Sequence, residues 1–457
     1  MANLPETKLA LHLAALQNQP RSQASRERLA QALLDWFTAG WSALPMPQAA
    51  ALRSLSLDVS PAEGGAPVFG GATTMTPLAA AFANAGIAHL REIDDAHRAA
   101  MLHPGVIAIS PVLALAAQEN LTQRRVADAI IAGYEVSLRV GEALGTRHAA
   151  GFHATATAGT VGAAAAAGVA LGLGATGLHH AMGIGATQAA GLWQLVDDDA
   201  HESKALHPAF AVRNGLYAAF AARAGFPGAR GFMTGKRGMY ALLAGDGPLK
   251  VLEPDADEPE RINTATIKAW PCCAQLFTPL DATRALMDQH AFTVDEIESI
   301  DVEIFPHALK IAGVDWPSRP AEACFSLRYV VATLLHKGSL GIEDMERPEL
   351  ESPALRALAS KIAVCPRDQY QAAFPQKRPA QVTIVLRDGQ RLAALRELRR
   401  GDPEYPYDWT ALQARMRAFV PAMDDAIATR LSAWCAGFAD ADKDAERCEV
   451  ALDLFNG

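Results

Sequence analysis

Two histidines and a lysine carry the most suggestive chemistry in this sequence. His153 lies directly before a long run of Ala, Gly and Thr, and Lys204 follows about fifty residues later in Ser-Lys-Ala-Leu-His-Pro. His103 begins a His-Pro-Gly segment further upstream. Histidine titrates near neutral pH and lysine neutralises carboxylates, so this set suits general acid–base catalysis. Backbone N–H groups at the start of the helix after His153 favour an anionic substrate.

Carboxylates lie close to His103 in the sequence. Asp94 and Asp95 precede His97 in a predicted loop that leads to His103. Metal binding is an alternative role for this group, and also for the acidic run at 197–202. Neither group has a recognised ligand spacing such as His-Glu-x-x-His. We therefore expect no metal, and we interpret 197–202 as a solvated acidic loop.

Other catalytic signatures are weak or missing. Residues 172–177 match Gly-x-Gly-x-x-Gly, with Asp197 twenty residues after the last glycine. A dinucleotide fingerprint needs a buried strand directly before it, and an Ala-rich stretch stands there instead. The glycines are better explained as the end of one helix and the start of the next. No Gly-x-Ser-x-Gly or P-loop pattern occurs, and Cys273 has no histidine near it in the sequence, so we assign it to the core.

The composition narrows the class of protein. The 457 residues carry a net charge of −9 and include six irregularly spaced cysteines. This argues against nucleic acid and anionic membranes as partners and for a reduced, cytoplasmic protein. Met1–Gln17 lacks the features of a signal peptide. The apolar stretch Ala154–Leu173 is rich in Ala and Gly and has no aromatic belt, so we expect a buried helix and not a membrane span.

The first half of the chain has helical periodicity. Two or three amphipathic helices are predicted over 6–57, followed by a loop at 58–76. Proline in the first turn predicts one helix from Pro77 to about His89 and another from Pro111. Another helix is predicted from an N-cap at Thr122 to about Gly145. Three more helices are predicted at 154–173, 177–194 and 207–224. The two Ala/Gly-rich helices should pack closely at the centre of a bundle.

Strand signals begin only after about residue 262. Ile300, Val302 and Ile304 alternate with acidic residues, and Val382, Ile384 and Leu386 precede an Arg387-Asp-Gly-Gln turn and a second strand from Arg391. Helices are predicted from an N-cap at Thr278 and over 322–336. We therefore predict a mainly α protein. A large all-helical domain spans 1–262 and 399–457, and a smaller α+β domain at 263–398 is inserted before the C-terminal helices.

The order of the motifs resembles the MmgE/PrpD family from about residue 77 to 410. The segments that carry this resemblance are Asn84–His89, Asp94-Asp95, His103-Pro-Gly105, Gly133-Tyr-Glu135, Gly151–Gly159, Lys204–Pro208, Arg213-Asn-Gly215, Lys268–Cys273, Phe325–Tyr329 and Arg400–Glu404. The family includes 2-methylcitrate dehydratase, cis-aconitate decarboxylase and iminodisuccinate epimerase. Its fold, a large helical domain with a smaller α+β domain, is similar to the one predicted above from the pattern alone.

The resemblance implies a reaction without metal or cofactor on a small di- or tricarboxylate, in a chain that forms a homodimer. By this resemblance His103, His153, Lys204 and Tyr329 are catalytic, and Lys268 binds substrate. The common step removes a proton next to a carboxylate, and cations must stabilise the enolate that forms. Arg213 suits a bidentate carboxylate clamp, and Asp94 and Asp95 are further candidates for contact with substrate.

The sequence departs from the family pattern at several positions. Ala96 replaces the usual threonine after the two aspartates, Glu92 replaces an aspartate, and Phe277 replaces a histidine. The usual Met-Thr before the lysine is replaced by Glu202-Ser203. We hypothesise that the acids near Lys204 select a substrate with fewer negative charges, or an amine.

We predict a lyase that dehydrates or hydrates a small hydroxy-polycarboxylate. One alternative is an epimerase, isomerase or decarboxylase of a small dicarboxylate on the same scaffold. A second alternative is an inactive family member that serves as a binding or scaffold protein. The sequence leaves open which of His103 and His153 is the base and which is the acid.

Overall fold

The computed structural model describes residues 4–17, 19–57, 65–198, 200–255 and 258–456. The chain forms two compact units, one of residues 1–266 with 409–457 and one of residues 267–408. The domains predicted from the sequence divide instead at 262 and 398. Part of the loop predicted at 58–76 lies outside the described residues. The prediction of a mainly α protein with a smaller α+β part is confirmed.

The larger unit begins with eleven helices within the described residues. They are α1 Pro5–Leu16, α2 Gln23–Ala43, α3 Pro47–Leu57, α4 Pro77–His89, α5 Pro104–Ala116, α6 Gln123–Gly151, α7 Ala154–Ala170, α8 Ala175–Ala186, α9 Gln194–Asp197, α10 Leu206–Arg223 and α11 Met239–Leu242. Side-chain caps explain several starts. Ser22, Thr76 and Thr122 each accept a backbone N–H from the first turn of the helix that follows.

The helix α7 lies at the centre of this unit. All its residues are buried, and it packs against α5, α6, α8 and α10. Its side chains are almost all Ala, Gly and Thr, so neighbouring backbones approach closely. Gly162 faces Ser137 of α6, and a Cβ at that position would lie 2.6 Å from the Ser137 Cβ. Among the described residues, no helix combines the length and the hydropathy needed to cross a bilayer.

Two helix boundaries in this unit differ from the sequence predictions. The helix predicted to start at Pro111 starts at Pro104, and Pro111 lies inside it. Proline there removes one hydrogen bond of the helix, a loss that this wholly buried, apolar helix tolerates. The helix predicted at 177–194 ends at Ala186. The helix predicted to end near Gly145 does break there, where Gly145 adopts a φ of 75°, and a second helical segment continues to Gly151. Glycine permits this left-handed conformation at little cost.

The smaller unit is built on a four-stranded mixed sheet with the order β2-β1-β3-β4. The strands are β1 Ile297–Ile304, β2 Ile362–Pro366, β3 Ala380–Leu386 and β4 Arg391–Arg396, and the helices are α12 Phe277–Gln289, α13 Pro306–Ile311, α14 Leu327–Lys337, α15 Ile342–Glu346, α16 Pro353–Ala359 and α17 Asp368–Gln371. β1 pairs with β2 in parallel and with β3 antiparallel. The helix α12 packs against β3, β4 and α14.

The predicted hairpin is confirmed, because β3 and β4 pair antiparallel across the Asp-Gly turn and Gly389 has a φ of 88°. The predicted N-cap at Thr278 is wrong. The helix α12 starts one residue earlier, and the Thr278 hydroxyl donates to the carbonyl of Arg378. The predicted helix at 322–336 is confirmed for its second part only, since a 3-10 helix spans Pro320–Phe325.

The chain then returns to the larger unit in two helices, α18 Trp409–Phe419 and α19 Asp425–Gly437. Both pack against α2. Arg415 of α18 forms a buried ion pair with Asp35 of α2 at 2.8 Å and donates to the carbonyl of Ile93 at 2.8 Å. These contacts hold the segment that carries Asp94 and Asp95 against the bundle.

A candidate active site of four histidines

One carboxylate bridges two histidines in the larger unit. His89 is the last residue of α4, and its Nδ1 lies 2.8 Å from Asp94 Oδ2. The same oxygen lies 3.2 Å from Nδ1 of His103. Burial opposes the charge of Asp94, but His103 and His89 hold its pKa well below the usual range of an aspartate. Asp94 is therefore an anion at neutral pH that orients both imidazoles.

His103 is fixed at the start of a helix. It occupies the N-cap position of α5, and its own backbone N–H donates to the hydroxyl of Thr155 at 3.1 Å. Pro104 and Gly105 then form the first turn. Thr155 lies in the first turn of α7, which follows His153. This bond therefore joins the start of α5 to the start of α7.

His153 is the N-cap residue of α7 and is 2% exposed. Its Nδ1 lies 3.0 Å from Nδ1 of His207, near the start of α10. The ring also packs against Trp193, with 4.6 Å between centroids. Burial, with the positive charge of Lys204, lowers the pKa of His153 well below its ordinary value, and burial likewise lowers that of His207 to about 4. Both imidazoles are therefore neutral at pH 7.

These four residues, His89, His103, His153 and His207, form what we term the histidine cluster. The centroid of His89 lies 4.6 Å from that of His103 and 5.7 Å from that of His153. One ring nitrogen from each of His89, His103 and His153 lies within 4.8 Å of the other two. A cluster of imidazoles, two of them neutral at pH 7, beside an ionised carboxylate is suited to proton transfer.

Lys204 lies beside this cluster. It belongs to a 3-10 helix, His201–Ala205, that leads directly into α10. Its ammonium group forms an ion pair with Glu92, one of the positions at which the sequence departs from the family pattern. The predicted acidic loop is exposed at Asp197 and Asp198. The cation that we expect to neutralise a substrate carboxylate is thus already paired with an acid.

Asp95 is bonded to the first turn of α5, next to His103. Its Oδ1 accepts the backbone N–H of Gly105 at 2.8 Å, and its Oδ2 accepts the hydroxyl hydrogen of Tyr134 at 2.6 Å. Burial, with a contribution from the charge of Asp35, raises its pKa to about 7. Asp95 therefore holds the first turn of α5, and hence His103. A direct contact with substrate stays a prediction.

Arg213 lies on the partly exposed face of α10. Its guanidinium packs over the ring of Phe210 at 4.7 Å and donates to Asn214 Oδ1 at 3.2 Å. In the part of the chain that the structure describes, neither of these contacts joins Arg213 to the histidine cluster. The proposed carboxylate clamp stays a prediction.

Two predicted site residues belong to the smaller unit. Lys268 is 3% exposed and lies just before the Trp-Pro-Cys-Cys segment. Tyr329 is buried in α14, and its hydroxyl donates to the carbonyl of Asp344 at 2.8 Å. Phe277, where the family usually has histidine, is buried in the core of the same unit. The catalytic role of Tyr329 and the substrate contact of Lys268 stay predictions.

Sequence reasoning missed His89 and His207 as functional residues, although both stand in segments that carry the family resemblance. His89 is five residues before Asp94. This spacing was a usable signal, because the chain after a helix can turn back and place a carboxylate against the last residue of that helix. His207 gave no such local signal. Its contact with His153 depends on the packing of α10 against α7.

The fold and the site together define a mainly α protein with a cluster of four histidines around a buried carboxylate. Comparison with known families agrees: the MmgE/PrpD N-terminal domain matches residues 7–252, and the MmgE/PrpD C-terminal domain matches residues 270–431. The chain belongs to the MmgE/PrpD family, as its motifs suggested.

Several curated proteins are similar over most of their length. The cis-aconitate decarboxylase of Aspergillus terreus is 26% identical over 395 residues, which cover 79% of this chain and 78% of the relative. The cis-aconitate decarboxylase-like protein of Aspergillus oryzae is 25% identical over 391 residues, 80% of each chain. The human cis-aconitate decarboxylase is 24% identical over 368 residues, 75% of this chain and 73% of the relative.

Proposed function

We propose that this protein is a lyase that transfers a proton at a carbon next to a carboxylate of a small di- or tricarboxylate. The observation that carries the proposal is the histidine cluster, in which His89 and His103 face the Asp94 anion and the neutral His153 and His207 lie next to them beside a lysine. The names of the similar proteins favour decarboxylation of a cis-aconitate-like substrate as the first activity to test. Dehydration, which the sequence had favoured, moves a proton at the same kind of carbon in the opposite direction.

Decarboxylation of such a substrate needs one proton and no redox partner. The bond to the departing carboxylate breaks, and its electron pair forms a new C=C bond. The original double bond shifts, and its far carbon takes a proton from an imidazolium. Carbon dioxide leaves, so one substrate and one proton give one product and one carbon dioxide.

The two sides of the cluster suit the two directions of proton transfer. Nδ1 of His103 lies 3.2 Å from the Asp94 carboxylate, which can offset the charge of an imidazolium that gives up its proton during the reaction. We therefore assign the proton donor to His103. His153 is neutral and its Nδ1 faces His207, which suits a proton acceptor in the dehydration and epimerisation variants. Lys204 neutralises a substrate carboxylate in this scheme.

The test is to incubate the purified protein in heavy water with a panel that includes cis-aconitate, citrate, 2-methylcitrate and smaller dicarboxylates. Mass spectrometry then distinguishes loss of carbon dioxide, loss of water and gain of deuterium without other change. We expect loss of carbon dioxide from an unsaturated tricarboxylate. Turnover of a hydroxy-polycarboxylate with loss of water instead would support dehydration, and deuterium gain alone would support epimerisation.

The matched control compares His103→Ala and His153→Ala with His290→Ala. His290 is an exposed histidine just after α12, so its loss removes an imidazole without touching the cluster. We expect His103→Ala to abolish decarboxylation, His153→Ala to abolish any dehydration or epimerisation, and His290→Ala to keep whichever activity the wild type has. If every substrate in the panel is untouched by the wild-type protein, the binding or scaffold alternative replaces the lyase.

We also propose that the protein acts as a homodimer, in line with the family resemblance. Light scattering coupled to size-exclusion chromatography measures this directly, and a monomer mass at micromolar concentration would contradict it.

A further inference from the structure

The three histidines that border the site share one arrangement of their ring nitrogens. In His89 and His103 the Nδ1 atom faces Asp94, and in His153 the Nδ1 atom faces His207. In His89 and His153 these contacts leave the Nε2 atom for other partners. One nitrogen from each ring lies within 4.8 Å of the other two. A metal-binding histidine characteristically uses one ring nitrogen for the metal while the other is held by a carboxylate or similar group.

His89 provides a second, independent observation. Its side chain is buried, and its Nε2 atom has no hydrogen-bond partner in the structure. A buried polar atom without a partner costs free energy. No step of the proposed reaction uses this atom. Its position inside a group of three imidazoles points to a ligand that the three share.

We propose that His89, His103 and His153 form a binding site for a divalent transition-metal ion of the Zn²⁺ class, and that the bound ion blocks the active site. Imidazole ligands favour such ions over Mg²⁺ and Ca²⁺, which prefer oxygen. A Zn–N distance of about 2.0–2.1 Å requires the three nitrogens to approach to about 3.4 Å in a tetrahedral site, so the rings must close on the ion.

The charges around the site decide how strongly the ion binds. Asp94 supplies a negative charge behind two of the three ligands. Lys204 supplies a positive charge that opposes the ion, and Glu92 pairs with Lys204 and offsets it. Asp95 lies on the segment next to Asp94, but its oxygens are bonded to Gly105 and Tyr134. The site therefore has one carboxylate, Asp94, in contact with two of its histidine ligands. It resembles a three-histidine site with an open fourth position.

Blocking follows from the competition for the same nitrogens. An imidazole whose Nε2 lone pair is bound to a metal ion can neither give nor take a proton there. This part of the inference rests on the proposed function, whereas binding of the ion does not. Zn²⁺ should therefore inhibit the reaction, and a chelator should restore it.

The experiment titrates the metal-free protein with Zn²⁺ by calorimetry and with Co²⁺ by visible absorption, without any substrate. We expect one ion per chain in the wild type, with the absorption bands of tetrahedral Co²⁺. Asp94→Asn should weaken binding by about 10–100-fold, as loss of a carboxylate behind ligating histidines does. His89→Gln should weaken it further. Circular dichroism of each variant establishes that it is folded, and Asp94→Asn gives a graded test if His89→Gln is not.

The matched control is the Cys272→Ser/Cys273→Ser double variant, because thiols also bind these ions. Undiminished binding in this control supports the histidine site, and loss of binding there would overturn it. Failure of the wild type to bind Co²⁺, or equal binding by folded His89→Gln, would overturn it too. Binding without any lyase activity would keep the metal site and reject the proposed function, so the two ideas fail separately.

Discussion

His153 Nδ1 lies 3.0 Å from His207 Nδ1, so the two imidazoles share one hydrogen and must adopt opposite tautomers. Both rings are neutral at pH 7, because burial lowers the pKa of each. If His153 is to accept a proton at Nε2, its own Nδ1 must carry the shared hydrogen and donate it to His207. His207 is therefore a positioning residue for His153.

This relationship predicts different effects for two substitutions of His207. His207→Phe keeps a ring but removes the acceptor, so we expect kcat to fall by at least about tenfold, within the roughly 10²–10⁴-fold that general acid–base catalysis contributes. His207→Asn keeps a polar group near the former Nδ1 and should recover part of the loss. KM should change little in both. Nitrogen NMR of labelled histidines should show a change in the His153 tautomer only in His207→Phe. An unchanged tautomer would contradict the positioning role.

The raised pKa of Asp95 predicts a pH dependence of stability. Burial, together with the charge of Asp35, raises this pKa to about 7, whereas an aspartate in an unfolded chain ionises near pH 4. Between these values the folded protein holds one more proton than the unfolded chain. The contribution to stability is therefore complete below about pH 4 and is lost as the pH rises through about 7, at most roughly 4 kcal/mol.

Asp95→Asn should remove this dependence. The asparagine oxygen can still accept from Gly105 N–H, and its amide can donate to the Tyr134 oxygen. We expect the thermal unfolding midpoint of the wild type to fall between pH 5 and 8 by more than that of Asp95→Asn. Asp197→Asn, at an exposed carboxylate, should behave like the wild type. Equal slopes for the wild type and Asp95→Asn would rule out a raised pKa at this position.

The ion pair of Lys204 with Glu92 predicts a change in substrate preference. Glu92→Gln removes the charge that competes with a substrate carboxylate for the ammonium group. A unit charge about 4 Å away is worth about 1 kcal/mol in water, so KM for a tricarboxylate should fall about fivefold, and KM for a dicarboxylate should fall less. Glu119→Gln, which breaks a distant pair with Arg223, is the control. Unchanged KM values would show that Glu92 does not affect substrate preference. They would also contradict the hypothesis that acids near Lys204 favour substrates of lower charge.

The contrast between what the sequence predicted and what it missed has a physical basis. Helix periodicity and caps such as Thr122 are local, so the helical elements around His103 and His153 could be predicted. Thr278 shows the limit of local reasoning, because its hydroxyl bonds to Arg378, a hundred residues away. The site follows the same division. His103 and His153 each stand directly before an apolar helix, so both could be singled out from the sequence. The pairing of His153 with His207 exists only because α7 and α10 pack closely.

That close packing gives the last prediction, which concerns Gly215 of α10. A Cβ there would lie 2.5 Å from the Ala163 Cβ and 2.7 Å from the Ala164 backbone nitrogen of α7. Alanine favours a helix by about 1 kcal/mol over glycine, but overpacking a tight core costs about 1–3 kcal/mol. Because backbone atoms of α7 cannot move aside as a flexible side chain can, we expect Gly215→Ala to lower the thermal unfolding midpoint.

The matched control is Gly151→Ala at the end of α6, where an added Cβ would meet no atom within 4 Å. Helix propensity acts there without a clash, so the midpoint should stay or rise. The difference between the two alanine variants measures the steric cost of the contact between α7 and α10. In Gly215→Ala the displacement of α10 from α7 should also disturb the active site, because α7 follows His153 and α10 contains His207. Its kcat should fall even at temperatures where it is folded. A stable Gly215→Ala protein with full activity would show that the two helices can separate without disturbing the histidine pair.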